Sequence, residues 1–197
     1  MGKPLLVIVN GLPGAGKTTL ARRLGADTHL PVFSRDGIFE TLHDGLGGAN
    51  NELPSQLGSA SFALLYYIAG CLLAAGQSLL IEGFFGRPEL RGAEFLQLQS
   101  TYDFEPLQIL CKADGQVLLE RFLARVESVE RHAGHSDLAW LEDNKERLLQ
   151  GELTPMALGS QVIAIDTTTP DSFEYAELLQ QVRQALANDR VQQVRSI

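Results

Sequence analysis

The segment Gly11-Leu-Pro-Gly-Ala-Gly-Lys-Thr-Thr19 decides the fold. It matches G-x-x-x-x-G-K-[ST], a Gly-rich turn whose backbone amides cradle phosphate groups. The flanking residues supply the context this motif requires. Pro4 to Asn10 is almost continuously apolar and reads as a strand buried on both faces. Lys17 to Gly25 reads as the helix that follows. Glycines let backbone N–H groups turn inward as an anion nest, and the helix adds the positive end of its dipole. On this reading Gly11, Pro13, Gly14, Ala15 and Gly16 form the cradle of a nucleoside triphosphate. Lys17 reaches the β and γ phosphates, the Thr18 hydroxyl coordinates a metal ion, and Thr19 contacts the α phosphate. The expected ligands are ATP and Mg²⁺.

Outward from this turn, apolar runs alternate with helix-period stretches. That is the pattern of an α/β domain with a five-stranded, mainly parallel sheet sandwiched by helices. Further strands are expected at 31–34, 78–82, 106–111 and 161–165, the last four following one another between helical stretches. Helices are expected at 36–43, with Asp36 as N-cap, within 57–76, near 88–100, and at 116–126 and 173–187. A Gly/Asn-rich loop runs from Gly45 to Asn51, and the residues from Asn188 read as frayed. From Glu127 to Gly151 the chain turns polar, with little apolar periodicity before Leu138, and this stretch reads as a small helical lid. With no repeat, low-complexity tract or linker, residues 1–197 read as a single domain with a lid insertion at about 127–151.

The composition is that of an ordinary globular chain, 45% hydrophobic and 20% charged. A net charge of −8 disfavours nucleic acid and anionic membrane surfaces as partners. Cys71 and Cys111 lie in apolar runs without metal spacing and read as buried free thiols, which suits a reducing cytoplasm. Leu57 to Gly76 carries no charge over the length of a membrane-spanning helix. A span there would separate strands that must share one sheet with the P-loop, so a buried helix against that sheet is expected.

In open parallel sheets the ligand crevice lies beyond the carboxyl ends of the strands. Asp36 follows the second strand and can accept or orient the proton of an acceptor hydroxyl, a role compatible with capping its helix. Glu82 ends the third strand, where an acid contacts Mg²⁺ through water; aspartate is commoner there. Arg87 and Arg91 follow it, as anion clamps or as surface arginines. Arg121 and Arg125, four apart, share one helix face, and Arg131 lies in the irregular stretch beyond. Such arginines stabilise a transferring phosphoryl group when a lid closes, or pair with Glu120, Glu127 and Glu130 on the surface. His132 and His135 lack an evident third metal ligand and read as hydrogen-bonding groups of the lid.

With these residues in place, the chain resembles the small P-loop kinases grouped as AAA-type ATPase-like domains. These include the polynucleotide 5′-kinase domain, zeta toxins, chloramphenicol phosphotransferase and gluconate kinase. The likeness rests on residues 11–19, Ser34-Arg35-Asp36, Ile81-Glu82-Gly83-Phe84, the helix Leu119 to Arg125 and the strand end Ile165-Asp166-Thr167. It implies ATP-dependent phosphorylation of a hydroxyl. Asp36 would be the base, Arg125 and Arg131 would sit in a lid over the phosphates, and Arg121 would lie near the adenine or phosphates. Glu82-Gly-Phe-Phe-Gly-Arg87 also resembles the Asp-Gly-Phe-Pro-Arg motif of nucleoside monophosphate kinases, without its proline.

The leading expectation is thus a phosphotransferase acting on a small-molecule acceptor. A competing one is an ATPase or GTPase switch with no phosphorylated product. Lys112-Ala-Asp114 resembles part of a guanine-reading motif, and Asp44-Gly-Leu-Gly47 fits Asp-x-x-Gly. A third reading, a scaffold with a vestigial nucleotide site, conflicts with the intact Lys17 and Thr18. No motif identifies the acceptor.

Overall fold

Strand β1 (Leu5–Gly11) has all seven residues buried, because helices cover both faces of the sheet it centres. Leu5, Val7 and Val9 enter one core cluster and Leu6 and Ile8 the other. The alternation of side chains along a strand splits the apolar run between two layers. The computed structural model describes residues 3–48, 54–86, 88–129 and 131–194.

The remaining elements are α1 (Lys17–Thr28), β2 (Val32–Ser34), α2 (Arg35–Gly45), α3 (Leu57–Ala74), β3 (Leu79–Gly83) and α4 (Pro88–Thr101). They continue with β4 (Glu105–Lys112), α5 (Gly115–Val126), α6 (Asp137–Leu149), β5 (Gln161–Asp166) and α7 (Tyr175–Val194). The strands form one sheet in the order β2-β3-β1-β4-β5. Every pairing is parallel, with Val9 opposite Glu82 and Gly11 opposite Cys111. The sequence reading of an α/β sandwich is thus the architecture found. Helices α1, α5 and α7 pack on one face, and α3 and α4 on the other.

Several boundaries move. Helix α2 starts directly from β2, and its N-cap is Ser34 rather than Asp36; the Ser34 hydroxyl accepts the Gly37 N–H at 3.1 Å. Asp36 therefore sits in the first turn, at the carboxyl end of the sheet. Helix α7 continues to Val194, beyond the expected fraying point. The Gly/Asn-rich loop begins after α2 and passes outside the described residues from 49. Arg87, Glu130 and the side chain of Arg91 also lie outside them.

Helix α3 links strands that belong to one sheet, a path a bilayer-spanning helix could not take. It buries Phe62, Leu65, Ala69 and Leu73 but leaves an outer face that includes Tyr67 and Cys71 exposed. Only Cys111 of the two thiols is buried, where desolvation raises its pKa to about 12. The expectation of two buried cysteines fails because α3 is apolar on every side, so composition does not reveal which face the sheet covers.

Candidate functional site

The turn between β1 and α1 carries two left-handed residues, Gly14 at φ 85° and Gly16 at φ 71°. A Cβ disfavours that conformation. Gly16 is also the N-cap of α1 and supplies no side-chain hydrogen bond. The first amides of the helix are thereby left for an anion. Pro13 and Ala15 complete the turn, and the Ala15 N–H closes it onto the Leu12 carbonyl at 3.2 Å. Lys17 lies back over the loop and donates from Nζ to the same carbonyl at 2.9 Å. Burial lowers its pKa, while Glu82 and Asp36 work against that shift.

Glu82 is 3% exposed, yet it is not isolated. Its Oε1 accepts the Thr18 hydroxyl at 3.1 Å and the Ser34 hydroxyl at 2.5 Å. Hard oxygen donors from the P-loop and from β3 thus meet beside Lys17, a set that suits a partly hydrated Mg²⁺. Thr19 lines a separate cleft, with Gly14 and Arg121.

Two clefts flank the P-loop. One, of about 390 Å³, is bounded by Gly14, Thr19, Arg121, Thr167, Phe173 and Tyr175. The other, of about 230 Å³, is bounded by Pro13, Arg35, Asp36, Phe84, Arg125 and Trp140, among others. Arg121 and Arg125 therefore part company, although they share one helix face. Helix α5 crosses the P-loop near Gly14, so one turn of helix separates the two sides. Arg121 is pinned by the carbonyls of Thr167 and Thr168, both at 2.9 Å. Arg125 makes no ion pair among the described residues, and its Nε is buried without a partner. Burial, then the nearby Arg131, lowers its pKa.

Arg131 does have a partner, and among the described residues it is neither Glu120 nor Glu127. Its guanidinium forms a two-point contact with Asp137, Nε to Oδ2 at 2.5 Å and NH2 to Oδ1 at 2.6 Å. Burial opposes ionisation of Asp137, but Arg131 and Arg125 outweigh it and hold the carboxyl below its usual value. The shift is downward, so the stability this pair contributes is complete above the unfolded-state value, roughly pH 4, and is lost as pH falls below it. Asp36 behaves similarly. Burial pushes it up, but Arg35, whose NH1 lies 3.1 Å from Oδ1, and Lys17 hold it down.

The histidines find carboxylates on α2 that the sequence could not place beside them. His135 Nε2 lies 2.8 Å from Glu40 and His132 Nε2 3.0 Å from Asp44. The Gly134 N–H donates to His132 Nδ1 at 3.1 Å, so both ring nitrogens of His132 are engaged. This turn lies on the buried ring of His43. A Cβ at Gly134 would approach His43 Cδ2 to 2.6 Å and Cγ to 2.9 Å. Gly134→Ala is therefore expected to destabilise the fold by roughly 1–3 kcal/mol. Urea unfolding followed by the fluorescence of Trp140, the single tryptophan, reads this directly; an unchanged midpoint would mean that the turn is free to lift off α2.

Sequence reasoning passed over several residues here. Asn10 is fully buried, and its Oδ1 accepts the N–H groups of Gly11 and Phe85 at 2.8 and 2.9 Å. It ties the start of the P-loop to the wall of the smaller cleft. Its place near the end of β1, just before the P-loop, was a signal, since a polar residue ending an apolar strand needs partners. Trp140, Phe84 and Phe122 form an aromatic wall, with Trp140 centroids 5.6 and 5.4 Å from the two phenylalanines. Asp114, weighed as part of a guanine-reading motif, instead caps α5 by accepting from Gln116 and Val117.

The comparisons with known proteins agree with this geometry. Over 127 residues, 61% of the chain, it is 30% identical to an uncharacterized protein of Mycobacterium tuberculosis. The chain spans about a quarter of that relative's length, the match covering 25% of it. The crystal structure of a "putative kinase" from Chloroflexus aurantiacus is 37% identical, covers 92% of this chain and 98% of its own, and superposes with a TM-score of 0.83. The APS kinase of Mycobacterium tuberculosis shares the fold at 18% identity, covering 95% and 99% of the two chains with a TM-score of 0.55. A family model described as an AAA domain matches residues 6–150. With its P-loop, parallel sheet and kinase-like neighbours, the chain belongs to this AAA-domain family, as a P-loop kinase-like domain.

Proposed function

We propose that the protein transfers the γ-phosphate of Mg-ATP to a hydroxyl of a small-molecule acceptor. The observation that carries this reading is the pair of clefts on opposite sides of one P-loop. A switch needs the nucleotide side alone. A second cleft that bears Asp36, whose carboxyl Arg35 and Lys17 hold below its usual value, and Arg125, whose Nε is buried with no partner among the described residues, suits a second substrate.

The amides of residues 11–16 and the start of α1 cradle the phosphates, and Thr19 lies at the nucleoside side. Lys17 exchanges the Leu12 carbonyl for the β and γ phosphates. Arg121, held by two carbonyls, forms a fixed edge of the nucleoside cleft. Thr18 and Glu82 are the residues that would hold Mg²⁺, directly and through water, and the bound ion supplies charge neutralisation to the phosphates. Asp36 orients the acceptor hydroxyl, and Arg125 faces the charge that develops on the equatorial oxygens. The segment at about 127–151 acts as a lid over this cleft within a single domain of 1–197, bringing Arg131 beside Arg125. The net charge of −8 disfavours polynucleotide acceptors. The exposed free thiol of Cys71 fits a reducing, cytoplasmic setting.

Asp36→Asn tests the reading. In an ADP-release assay with Mg-ATP and a pooled metabolite extract, acceptor-stimulated turnover should fall roughly 100-fold, the scale of misplacing a reacting group by about 1 Å. Nucleotide affinity should stay unchanged, because Asp36 lines the other cleft. Equal stimulation in both proteins would remove Asp36 from the reaction.

A further inference from the structure

The transfer proposed above releases a proton from the acceptor hydroxyl, and the residue best placed to orient that hydroxyl is ill suited to keep the proton. Arg35 and Lys17 hold the Asp36 carboxyl below its usual value against the opposing effect of burial. A second group in the same cleft differs in chemistry. His135 lines that cleft together with Asp36 and Arg125. Its Nε2 lies 2.8 Å from Glu40 Oε1, and the ring packs against Phe39 with centroids 5.1 Å apart. A carboxylate only accepts, so the Nε2 hydrogen points to Glu40 and the lone pair of the neutral ring sits on Nδ1. Nδ1 makes no hydrogen bond to any described residue. Helix α2 therefore supplies both parts of the arrangement one turn apart: Asp36 at the cleft and Glu40 behind the imidazole.

We propose that His135, held by Glu40, accepts the proton of the acceptor hydroxyl, while Asp36 orients that hydroxyl. This rests on the kinase reading. In the step, the acceptor oxygen forms a bond to the γ-phosphorus as the bond from that phosphorus to the β–γ bridging oxygen breaks. ADP keeps the electron pair of the broken bond. The hydroxyl proton moves to Nδ1, and the imidazolium is stabilised by Glu40 until water removes the proton. Among the described residues, the titratable and charged groups around the ring include Arg35, Asp36 and Glu40 on α2, Asp137 at the start of α6, Arg125 on α5, and Arg131 and His132 on its own segment. His135 is a catalytic residue in this account and Glu40 a positioning residue.

The test follows label transfer from γ-labelled ATP into a pooled small-metabolite extract, at saturating Mg-ATP, between about pH 5 and 8, the interval in which imidazole changes charge. The wild-type initial rate should fall about tenfold per pH unit along an acidic limb. His135→Gln keeps a hydrogen-bonding side chain but cannot titrate. It should lower the rate about 100-fold and abolish the limb, with ATP affinity preserved. Glu40→Gln should lower kcat while leaving the KM for ATP unchanged. A purely structural role for His135 would lower the rate equally at every pH and keep the limb, which overturns the proposal and leaves the kinase reading standing. An unstable His135→Gln protein shifts the decision to Glu40→Gln, where an unchanged kcat is equally fatal. No acceptor-dependent label in the wild type sinks both, since there would be no hydroxyl to deprotonate.

Discussion

Lys17→Ala is expected to lower kcat by roughly 10²–10³-fold, the scale for removing one charge-stabilising donor from a reacting centre. The Nζ atom now sits 2.9 Å from the Leu12 carbonyl, a neutral acceptor that a phosphate oxygen readily replaces. Burial works against the charge on this lysine, and Glu82 and Asp36 work to retain it. In its charged form, a lysine in a desolvated site interacts more strongly with a phosphate than one in water. Lys17→Arg should not restore the rate, because a planar fork does not fit a position built around a compact ammonium. Turnover at saturating Mg-ATP is the measurement. A rate within twofold of wild type would mean that Lys17 only decorates the turn.

The second large effect is expected at Glu82. One buried carboxylate oxygen accepts hydroxyls from both Thr18 and Ser34, and the carboxylate also faces Lys17. Glu82→Gln preserves the volume and one accepting oxygen but removes the charge. Apparent Mg²⁺ affinity should fall about 10–100-fold, the usual cost of disturbing groups that orient metal ligands. The fold should survive, because an amide can still meet both hydroxyls. A Mg²⁺ titration of turnover at fixed ATP gives the midpoint. Coincident midpoints for variant and wild type would show that Glu82 serves only to tie α2 and the P-loop to β3.

The positions of these two residues were legible in the sequence because Lys17 opens the helix that follows the Gly-rich turn after β1 and Glu82 lies at the end of β3, where local pattern and topology agree. The strands themselves were equally plain: apart from the three-residue β2, each is a run of five or more largely apolar residues between helix-period stretches. What the sequence could not supply was tertiary. Arg121 and Arg125 read as one face of a helix, yet the P-loop runs beneath that face and divides it between two clefts. Arg131 had Glu120 and Glu127 among its candidates, but its carboxylate among the described residues is Asp137, brought round by the turn that starts α6. Ser34 and Asp36 are both capping residue types, and only the direct passage from β2 into α2 decides between them. Glu40 and Asp44 lie about 90 residues from the histidines they meet, a separation that no short-range pattern spans. The exposed side of α3 was hidden for another reason, since a helix without a polar face gives periodicity nothing to detect.

The most direct test of the account is where the γ-phosphate goes. Protein, Mg²⁺ and γ-labelled ATP are incubated with a pooled metabolite extract, beside the Asp36→Asn variant, and the labelled products are separated. The account predicts label in an organic phosphate ester with the wild type and almost none with the variant. Label found only as inorganic phosphate, in equal amount from both proteins, would contradict it and leave an NTPase in place of a kinase.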